Sequence, residues 1–126
     1  MFTDTPAFSG FAVPDTAQAR AFYGETLGIR ISEDNEEGIL TLHIAGDRDT
    51  IVYPKPDHVP ATYTILNFVV DDIDAAVDGL AARGVTFEHY DEFGQDEKGV
   101  VRDGPGPLVA WFKDPAGNIL SVLQGA

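Results

Sequence analysis

The sequence predicts one α+β domain built from two similar units, and three observations lead to this prediction. The 126 residues are enough for one hydrophobic core and too few for two ordinary domains. A strand pattern that leads into a helix pattern begins near Phe11 and is repeated near Phe68, so that Asp15 and Asp72 occupy equivalent places 57 residues apart. In each half a single helix pattern precedes a run of strand patterns, which is typical of largely antiparallel sheets.

The first unit, about residues 6–54, opens with an apolar strand at Phe8–Val13. Asp15 is expected to cap the following helix while Gln18 reaches back to the cap. Gly28 suits the left-handed backbone conformation that ends such a helix. The apolar stripe of this helix is Ala19, Phe22, Tyr23 and Leu27. The strand patterns that follow are Ile29–Ser32, Gly38–Ile44 and Thr50–Tyr53.

The second unit, about residues 63–124, follows a linker at about 54–62 that contains three prolines. A strand at Thr64–Val70 leads into a helix that is capped by Asp71 or Asp72 and stopped by Gly84. The apolar stripe of this helix is Ile73, Ala76, Val77 and Leu80. Strand patterns follow at Val85–His89, Leu108–Phe112 and Ile119–Leu123, with a tight turn at Asp114–Gly117.

The segment Tyr90–Pro107 is rich in Gly, Asp and Glu. It reads as a long loop with room for a short strand at Val100–Arg102. Loops of this length in compact domains are often functional, so that it could close over a ligand as a lid.

Composition and charge restrict the partners that this protein can have. Twenty-one acidic residues against eight basic ones give a formal charge of −13. A surface this negative repels nucleic acid and anionic membranes, so neither is expected as a partner. The acidic residues either attract a cationic ligand or serve only to keep the protein dissolved.

The sequence also points to a location inside the cell. No cysteine is present, so that disulfides and thiolate metal sites are excluded. The first residues carry neither a basic group nor a long apolar run, and no stretch is long enough to span a bilayer. We therefore expect a cytoplasmic protein without a signal peptide.

Three motifs resemble a known superfamily in their order and spacing. They are Ala21-Phe22-Tyr23 with Thr26-Leu27-Gly28, then Asn67 to Ile73, then Phe112 to Asn118 with its Asp-Pro-x-Gly-Asn turn. Together they resemble the vicinal-oxygen-chelate proteins, which include glyoxalase I, the bleomycin resistance proteins and the extradiol dioxygenases. The resemblance implies two βαβββ modules whose curled mixed sheets enclose a shared cavity, a homodimer, and in many members a divalent metal held by His and Glu.

The positions at which that resemblance implies metal ligands do not carry them here. They fall at Phe8, Ile65 and Ser121, and on the strand at Ile51–Tyr53. Phenylalanine and isoleucine cannot coordinate a cation, and a serine hydroxyl is a poor ligand beside imidazole or carboxylate. We therefore expect no metal and no other cofactor.

Side chains that could line the cavity follow from strand alternation and from the family's ligand positions. They are Phe8, His43, Tyr53, Ile65, Asn67, Trp111 and Ser121. Ordinary core packing is the alternative for each of the aromatic ones. His43 is expected on the strand face opposite Leu40, Leu42 and Ile44, either in the cavity or in solvent. His58 is expected in solvent, and His89 at a strand end near the cavity mouth.

Three functions remain open at this point. The leading one is a metal-free protein that sequesters or senses a small cationic or aromatic compound, by analogy with the bleomycin resistance proteins. The second is a lyase, isomerase or dioxygenase with non-standard ligands from His43, His89 and nearby acids, or with a Tyr or His as base in a metal-free mechanism. The third is a dimerisation module with a vestigial cavity.

Overall fold

The structure is a computed structural model that describes residues 1–125. These residues form two compact units, residues 1–59 and residues 60–125, which are called unit 1 and unit 2 below. Both units are mixed α+β, as the sequence predicts.

Unit 1 contains a four-stranded sheet with one helical segment. Its strands are β1 (Ser9–Val13), β2 (Ile31–Ser32), β3 (Leu40–Leu42) and β4 (Thr50–Pro54), in the spatial order β1-β4-β3-β2. Strand β1 is parallel to β4, and the other pairs are antiparallel.

The helical segment of unit 1 begins where Asp15 accepts a hydrogen bond from the backbone N–H of Ala17 (2.8 Å). Helix α1 (Thr16–Ala19) continues as a π-helical stretch at Arg20–Thr26 instead of the single α-helix expected. The Leu27 N–H is donated to the Phe22 carbonyl five residues back, which is the wider π spacing. Gly28 then takes the predicted left-handed conformation, at φ 71°.

The core of unit 1 lies on one face of this sheet. Leu40, Leu42 and Val52 are fully buried. Tyr23 is fully buried too, with its ring centroid 5.6 Å from that of Phe11. Strand alternation leaves Thr41 and His43 on the opposite face, as predicted.

Unit 2 repeats the arrangement with three strands. Strands β5 (Thr64–Val69), β6 (Leu108–Lys113) and β7 (Ile119–Gln124) lie in the order β5-β7-β6. Helix α2 (Ile73–Ala82) begins after Asp72, which accepts a hydrogen bond from the Ala75 N–H (3.1 Å). As in unit 1, the first strand runs parallel to the last, so that the sequence repeat is also a repeat of topology.

Two of the predicted strands in unit 2 form only one isolated β-bridge each. At Val85–His89 only Phe87 pairs with the sheet, opposite Phe112, and at Val100–Arg102 only Val101 does, opposite Val109. The first strand stops because backbone groups beyond Phe87 form hydrogen bonds with the Gln95 side chain and not with a neighbouring strand. Its carbonyl oxygen accepts the Tyr90 N–H, and its amide donates to the carbonyls of Glu88 (2.8 Å) and Gly99 (2.6 Å).

The predicted turn between β6 and β7 is present. The Gly117 N–H is donated to the Asp114 carbonyl (3.0 Å), and Gly117 has a φ of 89°. Among the helices of residues 1–125, none has the length and apolar character needed to cross a bilayer.

Candidate functional site

The open face of the unit 2 sheet brings together three of the residues that the sequence singled out. In the strand register Ser121 on β7 stands opposite Asn67 on β5 and opposite Trp111 on β6. Directly opposed residues share a face, so these three side chains lie side by side. The other face carries the core, where Phe112 and Leu120 are fully buried and α2 contacts β6 and β7.

Ser121 and Asn67 form the polar centre of this face. The Ser121 hydroxyl donates a hydrogen bond to the Asn67 side-chain oxygen at 2.6 Å. Ser121 is fully buried, whereas Asn67 is exposed. Asn67 accepts this bond through its side-chain oxygen, so that the amide N–H groups of this exposed residue are still able to donate.

Ile65, which the sequence predicts for this same face, lies at a β-bulge. The register of β5 against β7 shifts between Thr64 and Leu66, so that Ile65 has no opposite residue on β7. The extra residue interrupts the alternation on which the prediction depended. Ile65 is half-buried at this irregularity.

An aromatic cluster extends the face beyond Trp111. Its members are Tyr90, Phe93 and Trp111, and each ring contacts the other two. Phe93 lies with its ring centroid 5.1 Å from that of Trp111 at an interplanar angle of 35°, and Tyr90 meets Trp111 edge-on at 5.5 Å. Phe93 is 46% exposed and therefore presents an aromatic surface to solvent.

Tyr90 carries a polar atom that the fold leaves without a partner. Its hydroxyl oxygen is buried, and among the residues described it makes no hydrogen bond. Burial raises the pKa of Tyr90, and the nearby Glu88 carboxylate raises it further. The phenol therefore stays protonated and keeps an unused donor beside Trp111.

The loop that carries Phe93 is tied to helix α2 by ion pairs. Arg102 donates to Asp74 (2.6 Å) and Asp96 (2.7 Å), and Lys98 lies 3.2 Å from Asp74 and 3.1 Å from Asp78. Hydrogen bonds from Arg102 and then Lys98 lower the pKa of Asp74. Burial alone would raise the pKa of Asp96, but the hydrogen bonds it accepts from Arg102 and from the Val100 and Lys98 backbone lower it.

The sheet face of unit 1 holds the other predicted residues. Phe8 is 71% exposed just before β1, and Tyr53 is 38% exposed on β4. His43 directly follows β3, and its Nε2 is 2.8 Å from the Ser32 hydroxyl. Of the remaining histidines, His89 is exposed. His58 is half-buried, whereas the sequence predicted it in solvent.

Several residues of these faces were not predicted from the sequence. Phe93 and Tyr90 lay in a segment read only as a loop, and Ser32 and Asp49 carried no motif. The spacing of Tyr90 and Phe93 was the one available signal, because two aromatic residues in an otherwise polar loop require a surface to cover them.

The positions at which the family resemblance implies metal ligands carry residues that do not suit a divalent metal. Within residues 1–125 no three His, Asp or Glu side chains lie together so that they could hold an ion. Phe8 and Ile65 have no donor atom, and the Ser121 hydroxyl is engaged with Asn67. The residues therefore do not fit the divalent metal that the resemblance implies.

The fold and these faces define a class of protein, namely a paired βαβββ protein with an aromatic sheet face. The family model "Glyoxalase/Bleomycin resistance protein/Dioxygenase superfamily" matches residues 7–122, and the chain belongs to this superfamily.

Solved structures agree with this assignment. A glyoxalase family protein from Bacillus anthracis is 20% identical with a TM-score of 0.77, over 100% of this chain and 98% of that one. A superfamily member from Sphaerobacter thermophilus DSM 20745 is 24% identical with a TM-score of 0.76, over 98% and 99%. TnmS3, an antibiotic binding protein from Streptomyces sp. CB03234, is 25% identical with a TM-score of 0.72, over 98% and 99%. No curated protein sequence matches the chain.

Proposed function

We propose that this protein binds a small planar aromatic cation on the open face of the unit 2 sheet, without a metal, and that it sequesters or senses this compound. The observation that carries the proposal is the cluster of Tyr90, Phe93 and Trp111 beside the Ser121–Asn67 pair.

The aromatic cluster supplies the affinity. Phe93 presents its ring to solvent while its inner side rests near Trp111, so that a planar ligand stacked on Phe93 would extend an existing stack. A cation near an aromatic face gains about 0.5–2 kcal/mol in addition to the area that it buries. A few polar groups beside an apolar surface are what a small-molecule site needs for orientation. Asn67 provides them here.

The charge around the cluster selects the sign of the ligand. Residues 60–126 contain eleven Asp and Glu against four Lys and Arg. Asp91 and Glu92 are exposed in the same short 3-10 turn as Phe93. A negative rim next to an apolar surface concentrates cations and repels anions.

The comparison with TnmS3 supports a binding role. That protein is an antibiotic binding protein of similar size and fold. Its likeness supports only the class of function for this chain. The identity of the ligand does not follow, because the residues that contact a ligand are not shared by fold alone.

Trp111 makes the proposal directly measurable because it is the only tryptophan in the chain. We expect ethidium, a planar aromatic cation, to quench the Trp111 fluorescence in a saturable way. Anthraquinone-2-carboxylate, a planar anion, should bind at least about tenfold more weakly, which corresponds to about 1.4 kcal/mol. Tetramethylammonium, a cation without an aromatic ring, should fail to compete.

Matched variants locate the site. Phe93→Ala should weaken ethidium binding about tenfold or more, whereas Phe2→Ala removes an exposed phenylalanine in unit 1 and should change nothing. Equal affinities for the cation and the anion would refute the role of charge. Binding that is insensitive to Phe93→Ala would refute the site.

We also propose that the protein is a homodimer. Phe8, Tyr63 and Val69 are each at least 70% exposed in the single chain, and large apolar side chains exposed in this number favour an interface. Sedimentation equilibrium should give twice the chain mass of 13.6 kDa. A single-chain mass at micromolar concentration would contradict this part of the proposal.

A further inference from the structure

Three side chains on the unit 1 sheet form a chain of contacts that the binding function does not use. The Ser32 hydroxyl lies 2.8 Å from Nε2 of His43. On the other side of the imidazole ring, Nδ1 lies 3.4 Å from an Asp49 carboxylate oxygen. The histidine side chain is 25% exposed and that of Asp49 52% exposed, so that a small molecule in solvent can approach the group.

The sheet itself produces this arrangement. Ser32 is opposite Thr41 in the register of β2 and β3, and Thr41 shares a face with His43 two residues on. Asp49 directly precedes β4, whose pairing with β3 sets Leu42 opposite Thr50. The register continued by one residue sets Asp49 opposite His43. Ser32 lies on β2, His43 directly follows β3 and Asp49 directly precedes β4, so that all three side chains are held at or next to paired strands.

We propose that Ser32 is a nucleophile activated by His43, and that Asp49 positions His43, so that this face hydrolyses small activated carboxylic esters. A serine within hydrogen-bond distance of a base, with a third group orienting that base, is the arrangement that covalent acyl transfer requires. A spacing of 3.4 Å at the third group is within the looser geometry that such sites show without a substrate.

The reaction balances with water as the only co-reactant. The Ser32 oxygen attacks the ester carbonyl while its proton passes to Nε2 of His43. The C–O bond to the alcohol then breaks, and the leaving oxygen takes this proton, which leaves Ser32 acylated. A water molecule deprotonated by His43 attacks the acyl carbon, the Ser32 ester bond breaks, and the proton returns to the serine oxygen. The products are the carboxylic acid and the alcohol.

In this proposal Arg30 stabilises the oxyanion that forms in each step, because it shares a strand face with Ser32. The backbone N–H of His43 donates a hydrogen bond to the backbone carbonyl of Arg30 (2.9 Å). This bond extends the pairing of β2 with β3 to Arg30. Residues 30 and 32 of one strand share a face. Among residues 1–125 no carboxylate forms an ion pair with Arg30 within 4.0 Å, so that its charge is available to a developing oxyanion.

The test uses the full-length protein and p-nitrophenyl acetate. We expect a burst of nitrophenolate of one equivalent per chain, with an acetyl group located on Ser32 by peptide mass spectrometry. Ser32→Ala should abolish the burst. The matched control is Ser9→Ala, which removes an exposed strand serine of the same sheet and should leave the burst unchanged.

Variants of the other two residues separate chemistry from structure. His43→Ala should lower the rate of Ser32 acetylation about a hundredfold or more, and added imidazole should restore part of the acetylation located on Ser32 by mass spectrometry, which a purely structural histidine would not show. Asp49→Asn should lower the rate with no change in KM.

A burst that survives Ser32→Ala, or acetylation only at lysines, would overturn the proposal. Mass spectrometry of the unaltered protein decides the location even if a variant fails to fold. The proposed ethidium site at Phe93 lies in unit 2. A failure to bind ethidium would therefore not decide whether Ser32 is acetylated.

Discussion

The turn that joins β6 to β7 gives a sharp test of how this fold is held together. The Asp114 carboxylate is 5% exposed and accepts three hydrogen bonds. Its Oδ1 accepts the backbone N–H groups of Ala116 and Asn118, both at 2.9 Å, and its Oδ2 accepts the Asn118 side-chain amide at 2.9 Å. Asp114→Ala removes the acceptor of all three of these hydrogen bonds.

The magnitude follows from where the donors lie. Asn118 is 2% exposed, so water reaches its two donors poorly, whereas Ala116 is only half-buried and can be hydrated. Each buried donor that loses its acceptor costs about 1–3 kcal/mol. We therefore expect Asp114→Ala to lower the free energy of unfolding by about 2–5 kcal/mol, a large part of the 5–15 kcal/mol typical of a domain.

Urea unfolding followed by circular dichroism measures this loss. The matched control is Asp57→Asn, since the Asp57 side chain is 85% exposed and bonded only to Lys55 among the described residues. That change should cost no more than about 0.5 kcal/mol. A loss below about 1 kcal/mol for Asp114→Ala would refute the view that this carboxylate holds the turn.

Three further predictions concern other parts of the structure. Tyr90→Phe removes a buried hydroxyl that has no partner in the described chain, so the free protein should be unchanged or up to about 1 kcal/mol more stable in urea, and a clear loss would contradict this. Asp74 and Asp96 have lowered pKa values, so their pairing with Arg102 is present above the ordinary value of 3.8 and is lost as the pH falls below it. The Val100 amide, which donates to Asp96, should report this by its NMR shift, and a transition above pH 3.8 would be inconsistent with it. Gly10→Ala would put a Cβ 2.6 Å from Cγ1 of Ile51 and should destabilise the protein by about 1–3 kcal/mol, while Gly79→Ala, with open space around it in α2, should stabilise it by about 0.5–1 kcal/mol.

Much of the fold could be predicted because local chemistry and long-range packing agree. Asp15 and Asp72 cap helices as their position before each apolar stripe indicates. The Asp114–Gly117 turn forms where proline and glycine favour it. Alternation in β3 correctly separated Leu42 from His43.

Several departures from the prediction arise from hydrogen bonds that a strand's own residues do not record. The predicted strand at Val85–His89 is cut short by the Gln95 side chain, which comes from later in the chain. The bulge at Ile65 was not predicted, because a β-bulge depends on the pairing partner and not on the strand's own residues. Asp49 and Ser32 are brought to His43 only by the register of three strands, which no sequence motif records.

The central claim is that a planar aromatic cation binds beside Trp111 without a metal. The most direct measurement is the single indole N–H signal of Trp111 in a ¹⁵N NMR spectrum, recorded as ethidium is added with EDTA present. We predict that this signal shifts in a saturable way and that Phe93→Ala raises the ethidium concentration at the midpoint of the shift about tenfold or more. A signal that stays in place while ethidium binds elsewhere, or binding that EDTA eliminates, would contradict it.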